Sequence, residues 1–596
     1  VVPESVSNLA ASNNTYDLQK ATQGMQGDNK LVEHLFTMMA DLLEINGGNP
    51  FKIRAYRNAS RVVHAFPSDA SELISHGEDL SQFPGIGRDL AKKIEEIVRT
   101  GHLHVLDTLM HEVSPELIRL MKIAGLGGKR VSLLHKKLGI VSVDDLETAA
   151  KSHSIRSLRG FGERSEEAIL KGISLLKGYN RRTAYGEIES DVNKLYNFLK
   201  SDSSITRLAI AGSFRRKLET IRDIDILAEG QDPESMIRTF LSYGGIAEVT
   251  TRGEKKVSVL LHNGLQVDLR IIAPESYGAA LHYFTGSKAH NIAIRLLAVH
   301  NGLKINEYGI FRGDKKIAGE QESDVYDILK MQYIDPELRE DSGEIEAAKK
   351  GTLPRLISMY DLRGDLHTHS TFTDGHATIE EMVLAARDKG YEYIAVTDHS
   401  KRIAMAHGLT EYDLERQIEY IDQVASTISG IRILKGIEVD IMEDGSLDLA
   451  DSVLSKLDIR VCSVHSHMHL SRREQTERII RAMDNRHFSI LAHPTSRLIN
   501  ERAPIDIDME KVMLAARQRN CILEVNSYPD RMDLNGDHCR MAKNIGAMVS
   551  IDTDAHSTRD LDNMRYGIGQ ARRGWLEPDN VINTRCYDEL IKLLRR

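Results

Sequence analysis

GSFRRKLETIRDIDIL at 212–227, with VDLR at 267–270, sets three carboxylates beside a phosphate-binding turn. In DIDIL the spacing predicts a strand with Asp223 and Asp225 on one face and Ile224 and Ile226 on the other. The alternation in VDLRII puts Asp268 and Arg270 on one face and Val267, Leu269 and Ile271 on the other, so a neighbouring strand completes a carboxylate trio. Three hard oxygen ligands suit Mg²⁺ or Mn²⁺. Two such ions about 3.5–4 Å apart can activate an attacking hydroxyl and stabilise a leaving pyrophosphate. A DxD pair alone is more often a solvated strand edge or a turn. Here LAIAGS (208–213) reads as a buried strand ending at Gly212 and Ser213. A basic helical start with Arg215 and Arg216 follows, and its free N–H groups can hold phosphate.

The segment resembles the palm of the family X DNA polymerases, the group that includes DNA polymerase beta, whose pattern GSxRRxxETxxDxDxL is matched at every fixed position. LHYFTGSKAHNIAIR (281–295) and INEYGIF (305–311) resemble the family's nucleotide-binding thumb segments, in the expected order. The resemblance implies that Asp223, Asp225 and Asp268 bind the catalytic metals and that Gly212, Ser213 and Arg216 hold the incoming triphosphate. It also implies that Tyr283, Phe284 and Gly286, followed by Ser287, form the wall that senses the sugar, and that Asn291 and Arg295 touch nucleotide and template. An aromatic pair beside a glycine is a flat wall with close backbone approach, although YFTGS alone reads as a packed turn.

At 596 residues the chain exceeds one core, and roughly three to five domains are expected. A formal net charge of −9 excludes a protein that coats DNA by bulk electrostatics, so any DNA contact is local. Cys462, Cys521, Cys539 and Cys586 show no CxxC spacing, which fits a reducing cytoplasm and no disulfide framework; the protein is expected to be cytoplasmic and nucleoid-associated. No apolar run approaches the ~20 residues that span a bilayer. The first stretch, 1–29, is polar and lacks the features of a secretory signal; it is expected to be a disordered extension, with Met25 a plausible start.

Three similar turns lie in the helical region that follows: FPGIGRDLAKKI (83–94), IAGLGGKRVSLL (123–134) and LRGFGERSEEAIL (158–170). Each has the form of a helix-hairpin-helix element, with Gly85 and Gly87, Gly125 and Gly127, and Gly160 and Gly162 at the turn. The N–H groups opening the next helix can grip a DNA phosphate without reading sequence. One GxG would mean little, since a helix cap gives the same letters. The third is the poorest, because Glu163, Glu166 and Glu167 would repel a phosphate. RAYRNAS (54–60) and AKKI (91–94) resemble the lyase domain of DNA polymerase beta, and Lys93 falls on its Schiff-base lysine. Asp89 stands where that enzyme has a lysine and Phe51 where it has a histidine, so lyase activity is the weaker expectation.

From 364 onward the sequence reads GDLHTHSTFTDG, AVTDHS, LKGIEVD, CSVHSHMH, ILAHPTS, ILEVNS and SIDTDAHS, with amphipathic helical stretches between. Strand-then-helix units with ligand types at the strand ends predict a closed α/β barrel carrying a multinuclear metal cluster. A single HxH arises by chance, but a series of ligand-bearing strand ends does not follow from packing. The pattern resembles the PHP domain, which implies nine ligands: His367, His369, Asp374, His399, Glu438, His465, His493, Asp554 and His556. Imidazoles and carboxylates of this kind can hold two or three Mn²⁺, Zn²⁺ or Fe ions, and by the resemblance Glu438 bridges two of them. Asp398 and His467 read as supporting or surface groups.

The expected fold is multidomain: an α-helical helix-hairpin-helix N-terminal region, an α/β nucleotidyltransferase palm plus thumb, and a C-terminal PHP distorted (β/α)7 TIM-like barrel. The boundaries are 30–105 for the first helical domain, 106–180 for a fingers-like DNA-binding region, 181–271 for the palm, 272–336 for the thumb, 337–363 for a charged linker and 364–596 for the PHP domain. This order resembles bacterial family X polymerases that carry a PHP domain. It implies a monomer acting on gapped or primer-template DNA and dNTPs, with gap filling and 3′ to 5′ exonuclease activity, and AP endonuclease or 3′-phosphodiesterase activity as an extension. Two alternatives stay open: a small-molecule phosphoesterase fused to a polymerase-like DNA-binding module, and a non-catalytic repair scaffold.

Overall fold

The computed structural model describes residues 28–594 apart from 65, 67, 68, 107, 108, 110–116, 118, 119, 122, 124, 125, 159, 181, 404 and 405. Residues 1–27 of the expected disordered extension, Met25 among them, and Gly125 therefore lie outside the described residues, whereas residues 28 and 29, also expected in that extension, open the helix Asp28–Ile45. The chain divides into two compact units, 1–180 and 181–596. No helix among the described residues is long and apolar enough to cross a membrane.

The first unit is helical around one apolar core, which Val32, Phe36, Ile94, Leu134 and Leu146 help to build. Two of its helices, Arg88–Thr100 and Gly128–Leu138, open in the same way. Gly87 (φ −83°, ψ 165°) and Gly127 (φ −86°, ψ 169°) are extended N-cap residues whose amide ends are uncapped by any side chain. Gly85 and Gly160 both sit in the left-handed region, at φ +99° and +94°. A side chain at Gly87, Gly127, Gly160 or Gly162 would meet nothing within 4 Å, so the approach to these turns is open. In the third turn Glu166 does not face that opening, contrary to the sequence expectation. It is buried and accepts from Arg156 Nε (2.8 Å) and bonds His153 Nδ1 (2.8 Å), so its charge is compensated inside the fold.

In the second unit the palm is a five-stranded sheet in the order Ile205–Ile210, Asp223–Gly230, Gln266–Ile271, Lys256–Leu261, Ile246–Arg252. The first of these, expected to be buried, is an edge strand and its residues are mostly half-buried. Ile224, Ile226, Val267 and Leu269 pack into the palm core, which Tyr566 and Met532 of the barrel also enter. The thumb core is shared in the same way with Trp575.

The barrel forms from parallel strands: Gly364–Asp365, Tyr393–Val396 and Arg432–Lys435 in one ladder, and Glu438–Asp440, Val461–Ser463, Ile490–Leu491, Ile522–Asn526 and Val549–Asp552 in another. Parallel bridges His399 to Glu438 and Thr368 to Ala555 join the ladders into a ring. Arg432–Lys435 and Glu438–Asp440 are halves of one strand broken at Gly436, where a side chain would meet Thr397 Cγ2 at 2.6 Å. The ring thus has seven strands, all running the same way, with the ligand-type residues at one end.

Candidate functional site

Strand pairing in the palm sets Asp225 directly beside Asp268 on the neighbouring parallel strand, and Asp223 beside Gln266. The phosphate turn is tied to this strand, for Ala211 N donates to the carbonyl of Asp225 (2.8 Å). Gly212 (φ +65°) lies so close that a Cβ there would sit 3.2 Å from Asp225 Oδ2. The helical start is a single turn, Gly212–Arg215.

The carboxylates are balanced by cations. Lys256 Nζ lies 2.7 Å from Asp268 Oδ2, Arg270 reaches Asp225 Oδ1 (3.3 Å) and Asp268 Oδ2 (3.4 Å), and Arg222 pairs with Asp223 (3.0 Å). Burial, reinforced by the neighbouring carboxylates Asp223 and Asp268, raises the Asp225 pKa. Burial also acts upward on Asp268, but hydrogen bonds from Lys256, Ser258 and Gln266 win and lower it. An all-oxygen trio with mutual repulsion at its centre fits hard divalent ions, although the ligand atoms spread wider here than in the barrel. Among the described residues, sets of three or more possible ligand atoms within 4.8 Å of one another occur only in the barrel.

Arg216 Nη1 donates to the Thr285 carbonyl (2.5 Å), so the phosphate turn touches the end of the thumb helix Tyr277–Thr285. Tyr283 and Phe284 lie on that helix with ring centroids 5.1 Å apart at 83°, and Arg270 stacks 4.1 Å from the Phe284 centroid. Gly286, at φ +70°, follows. Ser287 caps the next helix by accepting from His290 N (3.2 Å). Asn291 and Arg295 bond backbone rather than carboxylates: Asn291 Nδ2 donates to the Tyr283 carbonyl (2.7 Å) and Arg295 Nε to the Asn291 carbonyl (3.2 Å).

All nine predicted barrel residues converge. Three sets place their ligand atoms within 4.8 Å: His369, Asp374, His399 and His556; His367, His369 and Asp554; His399, Glu438 and His465. His493 Nε2 completes the ring, 3.0 Å from Glu438 Oε1. Glu438 is central, with Oε2 facing His399 Nδ1 (2.7 Å) and His367 Nε2 (3.5 Å), and Oε1 facing His493 and His465 Nε2 (3.4 Å). Burial depresses His399 and His556, but Glu438 and Asp374 push His399 up to about 10, and Asp374 and Asp554 push His556 up to about 9. Burial and the neighbouring His556 and His399 cations hold His369 down to about 3. Burial works against Glu438 and Asp554, yet the surrounding imidazoles keep both carboxyls well below their usual range. His369 Nδ1 is buried without a hydrogen-bond partner, a lone donor atom aimed into the cluster. Imidazoles, carboxylates and an unsatisfied ring nitrogen fit a multinuclear cation site.

Sequence reasoning missed the residues that orient these imidazoles. Glu524 bonds His367 Nδ1 (2.6 Å), and Asp440 bonds His465 Nδ1 (2.9 Å). Each leaves Nε2 as the inward nitrogen. The available signal was a carboxylate inside an otherwise apolar strand, ILEVN and EVD. Asp398 is a supporting group, accepting from Ser370 N (2.8 Å), Ser370 Oγ (2.6 Å) and Gln417 Nε2 (2.6 Å).

In the first unit, Lys93 lines a cleft of about 770 Å³ with Lys52, Tyr56, Asp89 and His104. Its amine is ion-paired to Asp89. Burial would lower its pKa, but the bonds to Asp89 and Tyr56 raise it.

A two-aspartate palm strand, a thumb and a seven-stranded ligand-bearing barrel define a two-centre protein of the polymerase-beta type with a PHP barrel appended. Models of four families match: a helix-hairpin-helix domain at 27–103, a SAM-like helix-hairpin-helix tandem at 117–174, the DNA polymerase beta thumb at 280–340 and the PHP domain at 365–527. The DNA polymerase/3′-5′ exonuclease PolX of Bacillus subtilis (strain 168) is 36% identical over 574 residues, 95% of this chain and 99% of that protein. The chain belongs to the PHP-containing family X DNA polymerases. Its barrel alone also resembles probable phosphatases, one from Thermoanaerobacter sp. (strain X514), 32% identical over 37% of this chain and 89% of that protein, and one from Acetivibrio thermocellus (strain ATCC 27405), 34% identical over 38% and 94%.

Proposed function

We propose that this chain is a DNA-directed DNA polymerase that fills short gaps during base excision repair, and that its barrel is a separate 3′ to 5′ exonuclease. It works as a cytoplasmic, nucleoid-associated monomer on gapped or primer-template DNA and dNTPs. What supports the reading is two clusters of ligand-type side chains in one chain: Asp225 paired with Asp268, with Asp223, in the palm, and nine converging His, Asp and Glu side chains in the barrel.

In the palm, Asp223, Asp225 and Asp268 would hold Mg²⁺ or Mn²⁺; in the barrel the nine ligands would hold two or three Mn²⁺, Zn²⁺ or Fe ions. Bound ions supply Lewis acidity at both centres, lowering the pKa of an attacking hydroxyl or water. The chain's own part is alignment and charge. Gly212, Ser213 and Arg216 receive the triphosphate, Tyr283, Phe284, Gly286 and Ser287 form the sugar wall, and Asn291 and Arg295 shape the thumb helix that faces nucleotide and template. The helix starts after Gly87, Gly127 and Gly162 grip phosphates of the duplex. Glu438 lies centrally in the barrel, its Oε2 facing His399, His367 and His369 and its Oε1 facing His493 and His465. Cleavage there extends to 3′-phosphodiesters and abasic sites. The resemblance of the barrel to probable phosphatases favours a second reading, phosphomonoester hydrolysis at this cluster. Lyase chemistry at Lys93 is not included, because an amine held as a cation by Asp89 is a poor nucleophile.

A gapped duplex with a 5′-labelled primer separates the activities. Asp223→Ala with Asp225→Ala abolishes extension and spares 3′ shortening; His367→Ala with His369→Ala does the reverse. Shortening that survives the barrel substitutions refutes the exonuclease assignment and favours the phosphatase reading.

A further inference from the structure

The barrel helix Met564–Arg573 runs between the two centres. It follows the short turn Asp560–Asn563, whose Asp560 accepts from the backbone N of His556 (3.2 Å). Its far end reaches the phosphate turn of the palm. Gln570 Nε2 donates to the carbonyl of Lys217 (3.0 Å), and Arg573 Nη1 donates to the carbonyl of Arg216 (2.9 Å). The seat is close, since a Cβ at Gly569 would lie 3.3 Å from Lys217 Cβ. Lys217 has φ +58°, a left-handed conformation that an L-residue adopts at a cost, and its carbonyl is fixed from the barrel side.

Arg573 Nη1 also donates to Glu340 Oε1 (2.9 Å), and the same oxygen accepts from Arg216 Nε (3.1 Å). Arg216 is therefore held at two of its nitrogens, Nε by Glu340 and Nη1 by the Thr285 carbonyl (2.5 Å), and Nη2 has no hydrogen-bond partner among the described residues. A guanidinium is a rigid fork, so fixing two nitrogens fixes the direction of the third. Arg573 and Arg216 are like charges sharing one carboxylate oxygen. Removing Arg573 frees the Arg216 carbonyl and takes away one of the two hydrogen bonds that fix Glu340 Oε1.

We propose that Arg573, acting through Glu340 and the Arg216 carbonyl, is a positioning residue for the polymerase centre: it aims the Nη2 edge of Arg216 at the incoming triphosphate and so makes the barrel domain part of the nucleotide-binding apparatus. The proposal rests on the reading that Arg216 holds the triphosphate.

The test uses the full chain on a single-nucleotide gap, measuring KM and kcat for dNTP, with 3′ shortening measured on the same preparations. Arg573→Ala is expected to raise KM about five- to tenfold, the scale of one charge-assisted hydrogen bond, with kcat within about twofold and the exonuclease rate unchanged. Arg573→Lys, which keeps a cation at Glu340, recovers most of the loss, and Arg573→Ala combined with Glu340→Gln is no worse than the worse single variant. If Arg216→Ala raises KM and Arg573→Ala does not, the positioning role is refuted while the triphosphate reading stands. If Arg216→Ala itself leaves KM unchanged, the triphosphate reading fails first and takes the proposal with it. Equal losses of both activities in Arg573→Ala and Arg573→Lys assign the side chain to packing and overturn the proposal. Should Arg573→Ala not fold, Glu340→Gln carries the same expectation for KM.

Discussion

Replacing Glu524 by Gln tests whether barrel activity depends on which His367 nitrogen is protonated. Glu524 uses only acceptors: Oε1 bonds His367 Nδ1 (2.6 Å), while Oε2 accepts from His493 N (2.6 Å) and Asn526 Nδ2 (3.0 Å). With Nδ1 as donor, the His367 Nε2 lone pair points into the cluster, 3.5 Å from both Glu438 and Asp554. Glutamine has the same shape but one end is a donor. If its oxygen takes the His367 side, its amide meets the His493 N–H and the Asn526 amide, and two buried donors lose their acceptor at about 1–3 kcal/mol each. If its amide takes the His367 side, it forces the tautomer with a proton on Nε2, and a ligand is lost from the cluster. The second arrangement satisfies more groups, so it is the expected one. Loss of such an orienting partner typically costs about 10–100-fold in metal affinity. The assay is 3′ shortening of a labelled primer as a function of Mn²⁺, with dNTP extension as the internal control. Glu524→Gln should shift the Mn²⁺ midpoint upward by about 10–100-fold, recover much of its rate at saturating metal and leave extension untouched. An unchanged midpoint with a lower plateau would refute the tautomer argument, since the residue would then act on the substrate or on the fold.

Three further outcomes follow from the geometry. Glu322 accepts from Arg215 and Arg339 (2.7 Å each); burial opposes its charge, but the two guanidinium groups hold its pKa far below the ordinary 4.5. That stabilisation is complete above the unfolded value near 4.5 and is lost as pH falls toward the depressed folded value, so melting temperature should drop progressively below pH 4.5. Glu322→Gln should destabilise by about 3–5 kcal/mol at neutral pH, leaving the buried Arg339 and the half-buried Arg215 without their carboxylate, and should flatten that acid slope. Gly212→Ala places a Cβ 3.2 Å from Asp225 Oδ2 at φ +65°, a strain of about 1–2 kcal/mol that should lower extension roughly tenfold without touching 3′ shortening, as primer assays will record. Borohydride trapping on a 5′-deoxyribose-phosphate end should give no adduct at Lys93 while Asp89 holds its amine protonated; a strong adduct in the unaltered chain would refute this assignment.

The parts of the fold legible in the sequence were those with a period. Alternation in DIDIL and VDLR gave the faces of Asp223, Asp225 and Asp268, and repeated apolar runs ending in His, Asp or Glu gave a ring of strands. What could not be read was anything set by register or by distant partners. Asp225 stands beside Asp268 only because the strands 223–230 and 266–271 are parallel neighbours in that alignment. Lys256, which pairs with Asp268, comes from a further strand and carries no local mark. The edge position of Ile205–Ile210 was equally hidden, because an apolar run reads the same at the rim of a sheet as at its centre.

Glu166 shows why charge alone misleads. Three glutamates after a glycine turn looked repulsive to phosphate, but one of them folds inward onto Arg156, and exposure rather than count decides the field at the turn. The same asymmetry separates the barrel's converging imidazoles and carboxylates from the groups that orient them. A ligand must sit at a strand end and face the axis, so its position betrays it. An orienting group needs only a buried carboxylate within reach of one ring nitrogen, and Glu524 meets that need 157 positions away from His367. Arg573 and Glu340 likewise pair across 233 positions. A chain with two acidic centres must keep each from drifting as the other works, and contacts of this kind do so by sharing backbone: Arg573 anchors the palm turn through a carbonyl, and Glu524 anchors the loop after strand Ile490–Leu491 through the His493 amide. Substitutions at such positions should therefore separate the two activities as cleanly as substitutions at the ligands, though by smaller factors.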